Sequence, residues 1–407
     1  MKSSFLVKFT KISFLALATM PFLKANYNSK VIILCAILVL ISFFKIKNRH
    51  KVNIKDFVFT LPFFMFLFYE ILSSNFNLDR VLLGLPFLIF PVIFLLRPKF
   101  IKEKIFNLTF LVFQIAVLLQ SLIYLIVFLK ENSIFRLFDI STHNIPFFRA
   151  YVTNNYLTEL HPTYFSSFLL FSLTISLFKF NKIKPFQVFN IIFSFLFIIL
   201  FSSRIIILLL LLTFVFYIIF LASKNRKKQS LIISAITLVG FLFIANTKVV
   251  KERFYEIKEQ MNKPIIGNYY NSSNTRLAIY KCDYLLVKEL PFFGFGNNLQ
   301  KKLNQCYADN NESNFYKVSV FNTHNYYLNL ILYGGWFFFL FFAIYLFFIF
   351  KRIRKNPLHL FVFIQFLLIN LTENYLSRHY GVVLFCYFTM LFITINKDEK
   401  DTRPKHV

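Results

Sequence analysis

Residues 193–228 read FSFLFIILFSSRIIILLLLLTFVFYIIFLASKNRKK, and two features of this stretch decide the fold. Apolar residues fill unbroken blocks on either side of Ser202-Ser203-Arg204, without the i, i+3, i+4 spacing of a helix that has one wet face. The second block then stops at Lys224, Arg226, Lys227 and Lys228, a basic cluster of the kind that flanks membrane helices on the cytoplasmic side. A block must reach roughly 17 to 25 residues to cross a hydrocarbon layer of ~30 Å, and shorter ones span with local thinning or flanking Lys and Arg.

The same pattern extends outward in both directions. Of 407 residues, 57% are hydrophobic and 16% charged, with 61 Phe, so most of this chain is solvated by lipid. The apolar blocks give spans near 12–23, 31–44, 57–72, 81–96, 105–129 and 161–178, then 186–201, 205–221, 231–245, 328–350, 358–371 and 381–395. The expected fold class is an all-α integral membrane protein of about twelve transmembrane helices. Lys8 and Lys11 before a short apolar run with Ala16-Leu17-Ala18 also fit a cleavable signal peptide, which leaves the orientation of the other spans unchanged.

Charge tests the spans independently. Lys45, Lys47, Arg49, Lys51 and Lys55 lie between spans two and three, and Arg97, Lys99, Lys102 and Lys104 between four and five. Lys179, Lys182 and Lys184, the cluster at 224–228, and Lys351, Arg352, Arg354 and Lys355 follow in alternate loops. With Lys2, Lys8 and Lys11 at the start and Lys397, Lys400, Arg403 and Lys405 at the end, these hold more than half of the 46 basic residues. Both termini are therefore expected in the cytoplasm. The net charge of +28 is mostly this topology signal and points to no nucleic-acid partner.

By this reading residues 1–245 carry helices 1–9, 246–327 form one large periplasmic loop domain between helices 9 and 10, 328–396 carry helices 10–12, and 397–407 are a cytoplasmic tail. Loops of that size usually carry function. This one has turn signals at Pro264, Gly267, Pro291, Gly294 and Gly296, and helical patterns around 249–261 and 275–289. It also holds Cys282 and Cys306, which face an oxidising compartment in this topology, so a disulfide and two packed free thiols are both open. Neither a third Cys nor a His stands at zinc-ligand spacing.

Ionisable residues near helix ends on the external side are the candidates for chemistry, because burying charge in a membrane is costly. Arg204 occupies the break between spans seven and eight, where positive charge is otherwise sparse. Arg276 opens Thr275-Arg276-Leu277-Ala278-Ile279-Tyr280, and the stretch Pro291-Phe292-Phe293-Gly294-Phe295-Gly296 follows it. His324, in Asn322-Thr323-His324-Asn325, sits where the large loop re-enters the membrane and can accept a proton from a sugar hydroxyl.

Ser202-Ser203-Arg204, Arg276 with an aromatic at 280, Pro-x-x-Gly-x-Gly at 291–296, and His324-Asn325 followed by Leu328 together resemble the O-antigen ligase and polymerase superfamily. The resemblance covers most of the chain. His161-Pro162-Thr163-Tyr164 and the segment Glu373 to Gly381, with Arg378, look like features of its Bacteroidetes branch. It implies a glycosyltransferase on the periplasmic face of the bacterial inner membrane that moves a glycan from undecaprenyl diphosphate to a glycan, lipid A core or protein acceptor. Arg204 and Arg276 would hold the diphosphate and His324 would assist the acceptor hydroxyl, while Arg378, His161 and Asn325 would bind substrate. Where relatives often carry Trp after the loop arginine, this chain has Tyr280.

Such a mechanism is chemically sensible. The external face lacks nucleotide sugars, so a donor must arrive activated on a lipid, and its leaving group suits bidentate Arg forks. No Asp-x-Asp pattern lies in an external segment, so the expected enzyme uses neither a metal nor a cofactor. A polysaccharide flippase is the main reading from another class, but it predicts short external loops and charge at the bilayer midplane. A protein O-oligosaccharyltransferase differs only in acceptor. A cell-elongation-type peptidoglycan glycosyltransferase would need an external Asp that has no match here.

Overall fold

The computed structural model describes residues 3–46, 53–73, 75–141, 145–153, 160–179, 184–260, 263–268 and 270–402. Lys2, Lys47, Arg49, Lys51, Lys182, Arg403 and Lys405 of the basic segments, and Met261 at the end of one helical pattern, lie outside the described residues. In chain order the helices are α1 (Ser3–Ala16), α2 (Ala25–Lys45), α3 (Leu61–Leu72), α4 (Leu78–Gly84), α5 (Pro86–Leu95) and α6 (Glu103–Glu131). Then come α7 (Phe147–Thr153), α8 (Pro162–Phe178), α9 (Lys184–Phe201), α10 (Arg204–Ser223), α11 (Lys227–Asn246) and α12 (Lys248–Gln260). The chain closes with α13 (Ser272–Lys288), α14 (Leu299–Asn310), α15 (Phe315–Val318), α16 (Tyr326–Ile353), α17 (Pro357–Ile369) and α18 (His379–Thr402). Among the described residues there is no strand, only an isolated bridge between Ile140 and Pro146.

Nine helical stretches among the described residues are long and apolar enough to cross a bilayer. Three of the twelve expected spans correspond to shorter helices, α3, α8 and α17. The first expected span is entered earlier than its hydropathy suggests, at Ser3, and tightens into a 3-10 turn over Leu17–Phe22, which holds Pro21. At 81–96 the helix is broken between α4 and α5, where Pro86 removes a backbone donor.

The chain forms two compact units, 1–110 with 265–407 and 111–264, with the boundary inside α6 and again after Pro264. The first unit is built around α18, whose apolar window is 94% buried. Phe385 of that helix packs edge-on against Phe366 at 5.4 Å between ring centroids and lies against Phe87 and Tyr345. Polar groups tie one end of the unit together: Asp56 pairs with Arg352 (2.7 Å) and Lys397 (2.8 Å), and Arg97 with Asp398 (2.5 Å). These residues come from segments that the charge pattern assigns to one side of the membrane.

α16 bends at Gly335, where φ is 73°. The segment 291–296 docks on this bend, with the Phe295 N–H donating to Leu332 O at 2.8 Å. A Cβ on Gly335 would collide with Phe292 O, and one on Gly294, also at φ 73°, with Tyr333 O. Nearby, the buried Glu70 carboxylate accepts from Tyr333 Oη, from the Asn77 N–H (2.9 Å) and from Asn297 Nδ2 (2.9 Å).

In the second unit α8 packs on α9 and α10. A buried polar network joins its helices: Gln114 Nε2 donates to Ser176 Oγ (2.8 Å) and Gln187 Oε1 (3.0 Å), and Asn190 Nδ2 donates to Ser176 Oγ (2.6 Å). Such hydrogen bonds hold helices together where lipid removes the hydrophobic drive for association. By contrast only 11% of the apolar window of α11 is buried, leaving a side free for lipid.

Candidate active site

In the first unit the site begins with an asparagine cap. Asn271 Oδ1 accepts from the Ser273 and Asn274 N–H groups and starts α13, which places Arg276 in its second turn and Tyr280 one turn further on the same face. Asn325 does the same for α16, accepting from the Tyr327 (3.0 Å) and Leu328 (3.1 Å) N–H groups. His324 immediately precedes that cap with φ 45°, and its N–H donates to Asn322 Oδ1 at 2.9 Å. This left-handed turn carries a non-glycine residue, a conformation uncommon for side chains and enriched at functional turns.

The turn after α17 supplies the third member. The Tyr326 N–H donates to Asn370 O at 2.9 Å, fixing the start of α16 against that turn, and Thr323 Oγ1 contacts Asn374 Oδ1 at 3.1 Å. Between them stands Glu373. Arg276 Nη2 donates to Glu373 Oε1 at 2.6 Å, and His324 Nδ1 lies 3.4 Å from Glu373 Oε2 without a well-formed hydrogen bond. One carboxylate therefore bridges an arginine and a histidine that lie far apart in sequence. Tyr280 Oη reaches His324 O at 3.5 Å, and burial foremost holds its phenol above the ordinary value, so it is a protonated donor at neutral pH.

This arrangement has a defined chemical capacity. Nδ1 faces a carboxylate, and an imidazole that donates from Nδ1 to it presents Nε2 as the base. Arg276 uses one edge on Glu373 and keeps further donors for an anion. The side chains of Arg276 and His324 remain 30% and 25% exposed, so a substrate can reach both.

The remaining expected site residues are placed as follows. Arg204 belongs to the second unit, at the start of α10, where Nη2 pairs with Glu256 Oε2 of α12 at 2.5 Å. Ser202 before it adopts φ 45°, and Arg149 donates to Phe201 O at 3.2 Å, closing the end of α9. His161 caps α8, its Nδ1 accepting from the Thr163 N–H at 3.3 Å. Asn325 spends its side-chain oxygen on the α16 cap. Arg378 is exposed at the turn before α18. Cys282 and Cys306 form a disulfide with Cα atoms 5.8 Å apart, joining α13 to α14. Among the described residues no three His, Cys, Asp or Glu side chains converge as a metal site.

The sequence reading missed the role of Glu373, although it noted the segment, and missed Glu256 altogether. For Glu373 the available signal was an acid close to a span end.

A polytopic helical membrane protein with an Arg–Glu–His cluster beside the bent helix α16 is the class these features define. Residues 189–343 match the family model described as O-antigen ligase. The matched stretch includes Arg204, Arg276, the cysteine pair and His324, and ends before Glu373 and Arg378. No curated protein matches the chain. The family supports a ligase- or polymerase-type role in glycosyl transfer.

Proposed function

We propose that this chain transfers a glycan from undecaprenyl diphosphate to an acceptor at the periplasmic face of the bacterial inner membrane, without a metal ion. The observation that supports this most is the bridging of Arg276 and His324 by Glu373. The acceptor hydroxyl attacks the anomeric carbon, its proton passes to His324 Nε2, and the bond from that carbon to the diphosphate oxygen breaks. Arg276 holds the departing diphosphate, whose negative charge grows as the bond breaks. Glu373 positions both partners and stabilises the imidazolium. Arg204 is assigned to the diphosphate by the family motif. The segment 246–327 is the periplasmic portion that carries Arg276 and His324.

The test is transfer from purified lipid-linked glycan with EDTA present, normalised to folded protein. Arg276→Lys keeps the charge and loses the fork, so activity falls well below wild type, and Arg276→Ala falls further. His324→Ala loses roughly 100- to 10,000-fold in rate with donor binding nearly unchanged. Near-wild-type turnover by His324→Ala, or loss of wild-type activity in EDTA with rescue by a divalent metal, would refute the mechanism. The acceptor is read from surface glycans of a deletion strain: loss of all polymer marks a polymerase, loss from lipid A core alone a ligase, and loss from glycoproteins a protein transferase.

A further inference from the structure

Arg80 and Arg378 of the first unit differ from Arg97, Arg276 and Arg352 in what they meet. Arg97, Arg276 and Arg352 each meet a carboxylate, whereas among the described residues neither Arg80 nor Arg378 has an ion-pair partner or a side-chain hydrogen bond. Arg80, on α4, lies with its guanidinium 4.1 Å over the Tyr333 ring, which orients the fork and leaves its N–H edges unspent. Both arginines line one cavity of about 320 Å³, inside the roughly 300–1,000 Å³ range of small-ligand pockets.

The rest of the wall is rich in amides. Asn322, Asn329, Asn374 and Gln300 line it too. The amide of Asn322 is oriented by its acceptance of the His324 N–H, so its Nδ2 is a donor. Asn329 makes no side-chain hydrogen bond among the described residues. Gln300 donates through Nε2 to Asn304 Oδ1 (3.0 Å) and Phe321 O (2.9 Å), whereas Asn322 and Asn374 spend their oxygens and keep Nδ2. Two guanidinium groups and these Nδ2 donors thus face a space that offers donors in excess, and the complementary ligand is rich in oxygen and negative charge. Asn322 and Asn374 are also chain neighbours of the catalytic turn: Thr323 separates the first from His324, and the second follows Glu373 directly.

We propose that this cavity is a saccharide subsite that recognises an anionic substituent, a phosphoryl or carboxylate group, on the glycan handled by the enzyme. The amides bind sugar hydroxyls, and the Arg80 and Arg378 forks bind the anion. The subsite rests on the transferase reading for its purpose, but its binding is measured without turnover.

The experiment titrates the purified full chain in nanodiscs with glucose 6-phosphate, glucuronate, glucose and inorganic phosphate. Wild type binds the two anionic sugars more tightly than glucose or phosphate. Arg80→Gln and Arg378→Gln each weaken that binding about ten-fold, the loss expected for one charge-assisted hydrogen-bonded pair. The double variant abolishes it, and Arg80→Lys restores part. Apparent melting temperatures near wild type establish folding. Equal binding of glucose and glucose 6-phosphate, inorganic phosphate bound as tightly as the sugar phosphate, or wild-type affinity in the double variant would each overturn the subsite. In the transfer assay, a raised KM for the lipid-linked donor alone assigns the anionic glycan to the donor, and a raised KM for the acceptor alone assigns it to the acceptor. Binding without any wild-type transfer sinks the transferase reading and leaves the subsite standing.

Discussion

Asp283 is fully buried in α13, one residue from the disulfide, and neither carboxylate oxygen has a hydrogen-bond partner among the described residues. Burial alone pushes its carboxyl well above the ordinary 3.8, and it lies close enough to Tyr307 of α14 to raise that phenol further. The folded protein then keeps a proton that the unfolded chain releases above about pH 4, so stability falls as pH rises from there through the raised folded value. Asp283→Asn removes the titration and keeps the shape. Its apparent melting temperature in detergent should exceed that of wild type by more at pH 8 than at pH 5. Parallel curves for the two proteins would show that the carboxyl does not titrate between those values.

At the scale of elements, α13 and α14 form a helix pair whose faces are held by Cys282–Cys306 and by Cys282, Leu286, Leu303 and Tyr307 in its core. The bond closes a sequence separation of 24 residues, which restricts the unfolded chain by roughly 3 kcal/mol. Because α13 carries Arg276, loosening the pair also loosens the arginine. Mass spectrometry of unreduced peptides should recover the Cys282–Cys306 link, and Cys306→Ser should lower both the melting temperature and transfer. Two free thiols in protein purified without reductant would remove this account. The sequence showed both cysteines and the α13 pattern, but α14 was not expected there. Its sequence Leu299–Asn310 is mostly polar, and only the folded chain buries Leu299, Leu303 and Tyr307 on one side of it.

For the whole molecule the alternating basic loops predict an orientation that can be measured. Single Cys probes at Ser272 and Asn311 should react with impermeant reagents from outside intact cells, and probes at Ser223 and Asn356 should not. Reaction of the second pair would reverse the orientation and put the Arg276–Glu373–His324 cluster in the cytoplasm. The pairing of Asp56 with Arg352 and Lys397, and of Arg97 with Asp398, already joins segments that the charge pattern groups on one side.

The sequence by itself determined the helical membrane class, because block length and loop charge are one-dimensional properties set by bilayer thickness and the insertion machinery. It also marked Arg276 and His324 as candidates, since charge near a helix end stands out against so apolar a background. Tertiary structure alone decided what those residues meet. Glu373 becomes the bridge only when the turn after α17 is locked to the start of α16 through Tyr326 and Asn370. Arg80 becomes a cavity wall only when α4, α14 and the turn before α18 close around one space. The bend at Gly335 likewise exists because segment 291–296 lies against it. Each of these depends on contacts between residues distant along the chain, and hydropathy and spacing record only what is near.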